Sequence, residues 1–357
     1  MRKVYAGSVK PLANEDLEHI LRVTGPVWEA ARGCHIFISG GTGFFGAWLL
    51  ESLVFCNREL DLGVSVTLLS RDPEGFARRM PHVGGERSIR LLKGDVRDLA
   101  FPLQEVDYII HAAAPTTASA AERPDELLSI QVDGTERMIE LAKATGARRF
   151  LYISSGAVYG RQAENVSHIS EDDFAEPNAL DPMDAYGEGK RASEQMCFSQ
   201  ARELDIEFAI ARCFAFVGPH LPLDQHFAIG NFIGDALAGR NIAVHGDGTP
   251  LRSYLYGADL AIWLWTMLLA KSAPGVSLRV FNVGSGKAIS IADLARVVVE
   301  ELNPSLRIEM APQPVAGQMR HQYVPDVTRA STILDLRQTI GLREAIRRTA
   351  AWHRRQN

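Results

Sequence analysis

From residue 34 onward, short β-branched and aliphatic runs alternate with glycine or polar turns and then with longer stretches of helical spacing. The runs His35–Ser39, Val64–Ser70, Ile89–Lys93, Tyr108–His111, Phe150–Ser154 and Phe208–Arg212 read as buried strands, and Phe44–Phe55, Pro124–Ala144 and Ala185–Leu204 as the helices between them. This alternation predicts right-handed βαβ crossovers and an α/β, Rossmann-like, doubly wound parallel sheet with ligands at the C-terminal strand ends. Residues 1–33 are a preface in which Asn14-Glu15-Asp16 caps a short amphipathic helix carrying Leu17, Ile20, Leu21 and Trp28, a surface brace or dimer contact. From Gly218 the rhythm breaks into proline, glycine and histidine, predicting a smaller discontinuous C-terminal substrate lobe. The expected division is an N-terminal helical extension over 1–33, a sheet domain over 34–216 with about 253–283, and a lobe over 217–252 and 284–357.

Composition narrows the partners. Of 357 residues, 46% are hydrophobic and 23% charged, enough apolar material for a large core. The net charge of −5 offers no basic field for nucleic acid or an anionic membrane, so a small molecule is the expected partner. Cys34, Cys56, Cys197 and Cys213 lack CxxC spacing, which points away from a zinc knuckle or disulfide framework and towards the cytoplasm. The greasiest run, Leu260 to Ala270, is about half the ~20 residues of a membrane span, so no membrane association is expected.

The first strand runs into Gly40-Gly41-Thr42-Gly43-Phe44-Phe45-Gly46 and then a helix, giving G-x-x-G-x-x-G. Such a turn lets backbone N–H groups approach a pyrophosphate while the helix N-terminus supplies partial positive charge, the pattern of a dinucleotide site. At the end of the second strand, where an NAD site carries an acid for the ribose 2′-hydroxyl, the chain reads Ser70-Arg71-Asp72; Arg71 suits a 2′-phosphate and tilts NAD(P) towards NADP. Gly94-Asp95-Val96 follows the third strand, with Asp95 placed for the adenine amino group. Ala112, Ala113 and Ala114 follow the fourth and are small enough to lie along the cofactor.

Tyr186 and Lys190 lie four residues apart, on one helical face. The ammonium lowers the cost of forming tyrosinate, making Tyr186 a usable acid or base, and can hold a ribose. Upstream, Ser154-Ser155 ends a strand with an exposed hydroxyl pair, and Ser155 is placed to donate to a substrate oxygen.

Taken together, Gly40–Gly46, Gly94-Asp95-Val96, Ser154–Gly160, Tyr186–Lys190, Arg212–Pro219 and Gly246-Asp247-Gly248 with Arg252-Ser253-Tyr254 resemble the extended short-chain dehydrogenase/reductases of the nucleotide-sugar epimerase/dehydratase group, over about 34–340. The resemblance implies a tightly held nicotinamide that takes a hydride from a sugar carbon while Tyr186 removes the hydroxyl proton, with Ser155 and Lys190 in support. It also implies that the small lobe binds a nucleotide-diphosphate sugar. Three positions depart from the group's pattern. Gly156-Ala157 stands where dehydratases carry an Asp-Glu pair and decarboxylases a Glu, which disfavours both reactions. Ala215 and Gln131 each replace a frequent Asn, bearing on substrate contacts and on a proton relay.

A buried diphosphate needs cations and N–H donors, for which Arg252, Asn231 and Arg320 are the candidates. His220, His226 and His245 lack the partners of a metal site and read as cleft or surface residues. The arginines of Leu342 to Asn357 suit a solvated terminal helix. The two helices over 124–144 and 185–204 correspond to those through which related enzymes form homodimers. The leading expectation is an epimerase acting by transient oxidation. A nucleotide 4-ketosugar reductase using NADPH is the alternative, a dehydratase or decarboxylase stands lower, and a non-enzymatic dinucleotide sensor is disfavoured because Ser155, Tyr186 and Lys190 are all present.

Overall fold

The computed structural model describes residues 8–101, 105–114, 123–163, 165–173, 185–225, 227–310 and 321–356. Strands β1 (His35–Ser39), β2 (Ser65–Ser70), β3 (Ile89–Lys93), β4 (Tyr108–His111), β5 (Arg149–Ser155) and β6 (Glu207–Cys213) lie within a residue of the apolar runs that predict them. Four short strands follow: β7 (Phe216–Val217), β8 (Ile242–Val244), β9 (Leu251–Arg252) and β10 (Leu255–Tyr256). Then β11 (Leu278–Val283) returns to the main sheet, and β12 (Ile289–Ser290), β13 (Ile308–Met310) and β14 (Gln322–Tyr323) come last.

The central sheet runs β3-β2-β1-β4-β5-β6-β11, with every neighbouring pair parallel. Strand order reverses between β1 and β4, which opens a crevice at their C-terminal ends, directly above Ser39 and His111. The helices are α1 (Asn14–Thr24), α2 (Phe44–Glu59), α3 (Pro73–Arg79), α4 (Pro81–Gly84), α5 (Pro124–Thr145), α6 (Ala185–Glu203), α7 (Ala228–Leu237), α8 (Gly257–Leu269), α9 (Ile291–Leu302), α10 (Thr328–Leu334) and α11 (Leu342–Gln356).

Period-two alternation divides the core. Ile36 and Ile38 face the layer of α1, α2 and α8, whereas Phe37, Phe150, Tyr152, Phe208 and Ile210 face α5 and α6. Helix α8 is apolar all round because it lies inside the protein; no helix among the described residues is long and apolar enough to cross a membrane.

The N-terminal segment differs from expectation. Ala13, not Asn14, occupies the N-cap of α1, and Asp16 is buried, accepting from Tyr256 Oη (2.8 Å) and Arg348 Nη1 (2.7 Å). Gly25-Pro26 ends α1, so Trp28 sits in a separate 3-10 segment, its ring 4.8 Å from that of Trp265. Residues 8–33 thus pack their apolar side, Trp28 included, into the core and keep the opposite side exposed. Helix α11 buries Ile346, Ala350 and Trp352, while on its solvent side Arg343 and Arg347 pair with Glu300, Glu301 and Glu344, and the less exposed Arg348 pairs with Glu344, Glu15 and Asp16.

In the C-terminal half, β9 pairs antiparallel with β12 and parallel with β14, placing Tyr323 opposite Arg252. That register delivers a late residue to the mouth of the crevice.

Candidate active site

The glycine turn is built by close approach. Gly40 has φ +73°, and a Cβ there would lie 2.3 Å from the Ala112 carbonyl carbon and the Ala113 nitrogen; one on Gly46 would lie 1.9 Å from the Gly41 oxygen. Gly43 is different: a Cβ on it would meet nothing within 4 Å, and as N-cap of α2 it leaves the first-turn N–H groups without a side-chain acceptor. Open space above uncapped amides is a cradle for a pyrophosphate, so the residues present fit a dinucleotide. The Thr42 carbonyl accepts from Arg79 Nη2 (2.7 Å), which ties the turn to α3. Phe44 and Phe45 pack towards Phe216 (ring centroids 6.5 and 5.2 Å), so their side chains brace the helix start while their backbone faces the turn.

At the adenosine end, Arg71 is exposed, while the Asp72 carboxylate is engaged by Gly75 N (2.9 Å) as N-cap of α3 and the Ser70 hydroxyl accepts from Asp72 N (3.1 Å). Asp95 accepts from Arg97 Nε and Nη2 (2.8 and 3.0 Å), and this bond keeps its carboxyl below the ordinary range despite partial burial. The Val96 side chain is buried against α5, at a point where a Cβ on Gly134 would come within 2.8 Å of it. Ala112 to Ala114 are half-buried, and Ala112 N donates to Ser39 O (2.9 Å).

The chemistry-bearing residues converge at the end of β5. Tyr186 lies beside Ser155, and burial pushes the Tyr186 phenol up to about 12 even though Ser155 pulls it down. Lys190 is buried, donates to Ile153 O (2.7 Å) and lies over the Tyr152 ring (4.7 Å); burial depresses its ammonium to about 8. Two expectations are corrected here. Desolvation dominates at Tyr186, and the group that pulls its phenol down is Ser155. Strand alternation also splits the serine pair: Ser155 is half-buried, whereas Ser154 is buried with its hydroxyl on Glu194 (2.5 Å).

Gln131 reaches from α5 to α6, its Nε2 3.4 Å from Tyr186 O, and a Cβ on Gly189 would lie 1.9 Å from its Oε1. Gly189 therefore makes room for the longer amide that replaces the group's asparagine.

The substrate candidates scatter. Arg252 is half-buried on β9, its Nη1 donating to Leu251 O (2.8 Å), and its charge bears on Tyr254 and Tyr323. Asn231 is half-buried within α7. Arg320 and His226 lie outside the described residues. His245 is exposed, and His220 is no cleft residue: it bonds the buried Glu51 carboxylate (2.8 Å) and packs against Trp352 (4.5 Å between centroids). Among the described residues no group of three or more His, Cys, Asp or Glu could hold a metal.

Sequence reasoning missed Tyr323 and Glu194. Tyr323 arrives through the β9–β14 pairing, lies beside Ser155, which pulls its phenol down, and is raised by burial. A Cβ on Gly156 would meet its hydroxyl at 2.7 Å and the Phe214 ring at 2.8 Å, so aromatic side chains fill the space next to Ser155. Nothing periodic announces Tyr323. Glu194, however, repeats the Tyr186–Lys190 spacing once more, and that signal is in the sequence.

A glycine turn at the switch point, with a Tyr–Lys helix beside a strand-ending serine, defines a nicotinamide-dinucleotide enzyme of the short-chain type. The chain belongs to the NAD dependent epimerase/dehydratase family, whose model matches residues 36–284. Among relatives, UDP-glucuronic acid decarboxylase 1 of Arabidopsis thaliana is 30% identical over 324 residues, 90% of this chain and 70% of that protein. UDP-glucuronic acid decarboxylase 5 of the same plant is 30% identical over 313 residues, covering 87% and 86%. Among solved structures, MoeE5 in complex with UDP-glucose and NAD is 26% identical, with TM-score 0.72 over 90% of this chain and 99% of that one. The UDP-glucose 4-epimerase of Thermotoga maritima shares the fold, with TM-score 0.75 at 22% identity over 90% and 99% of the two chains.

Proposed function

We propose that the protein is a nucleotide-sugar epimerase of this family, acting by transient oxidation of a sugar hydroxyl, with Ser155, Tyr186 and Lys190 as its catalytic set. The carrying observation is the placement of the Tyr186 phenol beside Ser155, which pulls it down against burial, next to a glycine–alanine pair that bears no proton-carrying side chain. When bound, the nicotinamide supplies hydride acceptance and return.

The chain's own residues do the rest. In its phenolate form Tyr186 Oη accepts the sugar hydroxyl proton as the ketone forms, becoming the phenol, and returns that proton on reduction, while the Ser155 hydroxyl donates to whichever oxygen carries the developing charge. Lys190, fixed by Ile153 O and the Tyr152 ring, presents an ammonium to the ribose side of the cofactor. Gly40, Thr42, Gly43, Phe44, Phe45 and Gly46 hold the pyrophosphate through backbone N–H groups. Ser70 and Arg71 line the adenosine end with Asp95 and Val96, and Ala112, Ala113 and Ala114 the floor. Arg71 favours NADP, because its exposed guanidinium suits a 2′-phosphate and the neighbouring Asp72 carboxylate is engaged as the N-cap of α3. Arg252, Asn231 and Arg320 receive the diphosphate of a UDP-type sugar.

A second reading comes from the relatives, which are UDP-glucuronic acid decarboxylases. Oxidation next to a carbon bearing carboxylate makes a β-keto acid, which loses carbon dioxide readily; Gly156-Ala157 supplies no acid to assist the loss. The fold also supports a homodimer through α5 and α6, where Phe198 stands 43% exposed beneath Arg202. Incubation with UDP-, dTDP-, GDP- and CDP-sugars, including UDP-glucuronic acid, and no added cofactor tests the assignment. Epimerisation gives a diastereomer of unchanged mass; a pentose product establishes decarboxylation, and turnover only with stoichiometric NADPH establishes the reductase.

A further inference from the structure

Behind the Tyr186–Ser155 pair lies a buried ion pair that the chemistry above does not use. Glu194 sits one helical turn beyond Lys190 on α6, and its side chain and that of Arg212 on β6 are only 8% and 12% exposed. Arg212 grips the carboxylate with Nε (3.1 Å to each oxygen) and Nη2 (2.7 Å), while Nη1 donates to Tyr159 Oη (2.9 Å) and to Glu171 O (3.1 Å). The remaining bond to the Glu194 carboxylate comes from Ser154 Oγ at 2.5 Å. Ser154 is the residue before Ser155, and it pairs with Arg212 in the β5–β6 register. One carboxylate thus joins the helix carrying Tyr186 and Lys190 to the strand end carrying Ser155.

We propose that Glu194 is a positioning residue: clamped between the Ser154 hydroxyl and the Arg212 guanidinium, it fixes the spacing of Ser155 from Tyr186 and Lys190. This rests on the reading that those three residues perform the reaction. Buried polar networks of this kind hold one geometry when every member is satisfied. A sub-ångström loosening between α6 and β5 separates a donor from its acceptor, so the cost falls on turnover more than on substrate affinity.

The same carboxylate bears on Lys190. The groups facing that ammonium are Cys197 and Glu194 on α6, Cys213 on β6, the Tyr152 ring on β5 and His111 on β4. Glu194 is the carboxylate among them and holds up a lysine that burial depresses. Removing its charge lets Lys190 lose its proton at lower pH.

The test compares purified full-length Glu194→Gln, Glu194→Asp, Ser154→Ala and Tyr186→Phe with wild type, reading kcat, KM and the pH profile on whichever nucleotide sugar turns over. Glu194→Gln is expected to lower kcat about 10- to 100-fold with KM within about threefold. Its alkaline limb should move about half to one pH unit towards acid, and Glu194→Asp should restore the limb. Ser154→Ala loses the hydrogen bond but not the charge, so it should lower kcat several-fold with the limb in place. Wild-type kcat and an unmoved limb in Glu194→Gln overturn the proposal. If Glu194→Gln does not fold, Ser154→Ala decides: an unchanged kcat overturns the proposal and a reduced one, at unchanged Tm, upholds it. Tyr186→Phe separates the two readings, since full activity there removes the catalytic assignment whatever Glu194 does.

Discussion

His111 closes β4 directly beneath the crevice, and its protonation state is fixed by its neighbours. The Thr135 hydroxyl donates to Gln131 O (2.6 Å), so at 3.0 Å it accepts from His111 Nε2–H; Nδ1 then accepts from Ser39 Oγ at 2.7 Å. A second proton would have to enter at Nδ1, in a fully buried ring beside Lys190. Burial, with a smaller contribution from that ammonium, holds the imidazole down at about 3, against an ordinary value of 6.5. The folded state therefore binds fewer protons than the unfolded chain throughout that interval. Stability is full above pH 6.5 and drains as pH falls towards 3, and integrating the difference between pH 7 and pH 5 gives a loss of about 2 kcal/mol from this residue. Urea titrations of wild type and His111→Gln at both pH values isolate it, because every other titrating group is common to the two proteins. The variant should be less stable at pH 7 yet lose about 2 kcal/mol less on going to pH 5. Equal losses in the two proteins would refute the assignment of a neutral, hydrogen-bonded His111.

The glycine turn makes a sharper steric prediction: Gly46→Ala puts a methyl 1.9 Å from the Gly41 oxygen and should weaken dinucleotide binding at least tenfold by calorimetry, with overpacking costing about 1–3 kcal/mol of stability. Arg71→Asp should reverse the NADP over NAD preference, read as the ratio of dissociation constants in matched titrations. Gly156→Ala collides with Tyr323 and Phe214 and should lower kcat with little effect on dinucleotide affinity; unchanged turnover would show that the space beside Ser155 is not tightly filled.

Much of this architecture was legible because parallel strands buried on both faces read as continuous apolar runs, and β1 and β4 match theirs end to end. The glycine turn and the Tyr186–Lys190 spacing are local patterns, so they too were legible. What escaped depends on distant pairing. Tyr323 reaches Ser155 through a two-residue strand that no periodicity marks. The Tyr186 phenol shows the limit of motif reasoning. Four-residue spacing puts Lys190 on its face, but desolvation raises its proton affinity and Ser155 is the group that lowers it. The preface read as amphipathic and hence superficial; only the packing of Trp28 against Trp265 reveals that its partner is the core itself.

The central claim is that the Tyr186 hydroxyl carries the proton when a sugar alcohol is oxidised. Rapid mixing of the dinucleotide-loaded protein with UDP-sugars, following reduced nicotinamide by absorbance in wild type and Tyr186→Phe, tests it most directly. The prediction is a transient in wild type, slowed about 100- to 10,000-fold in the variant at unchanged dinucleotide affinity; a transient of comparable rate in both proteins would contradict it.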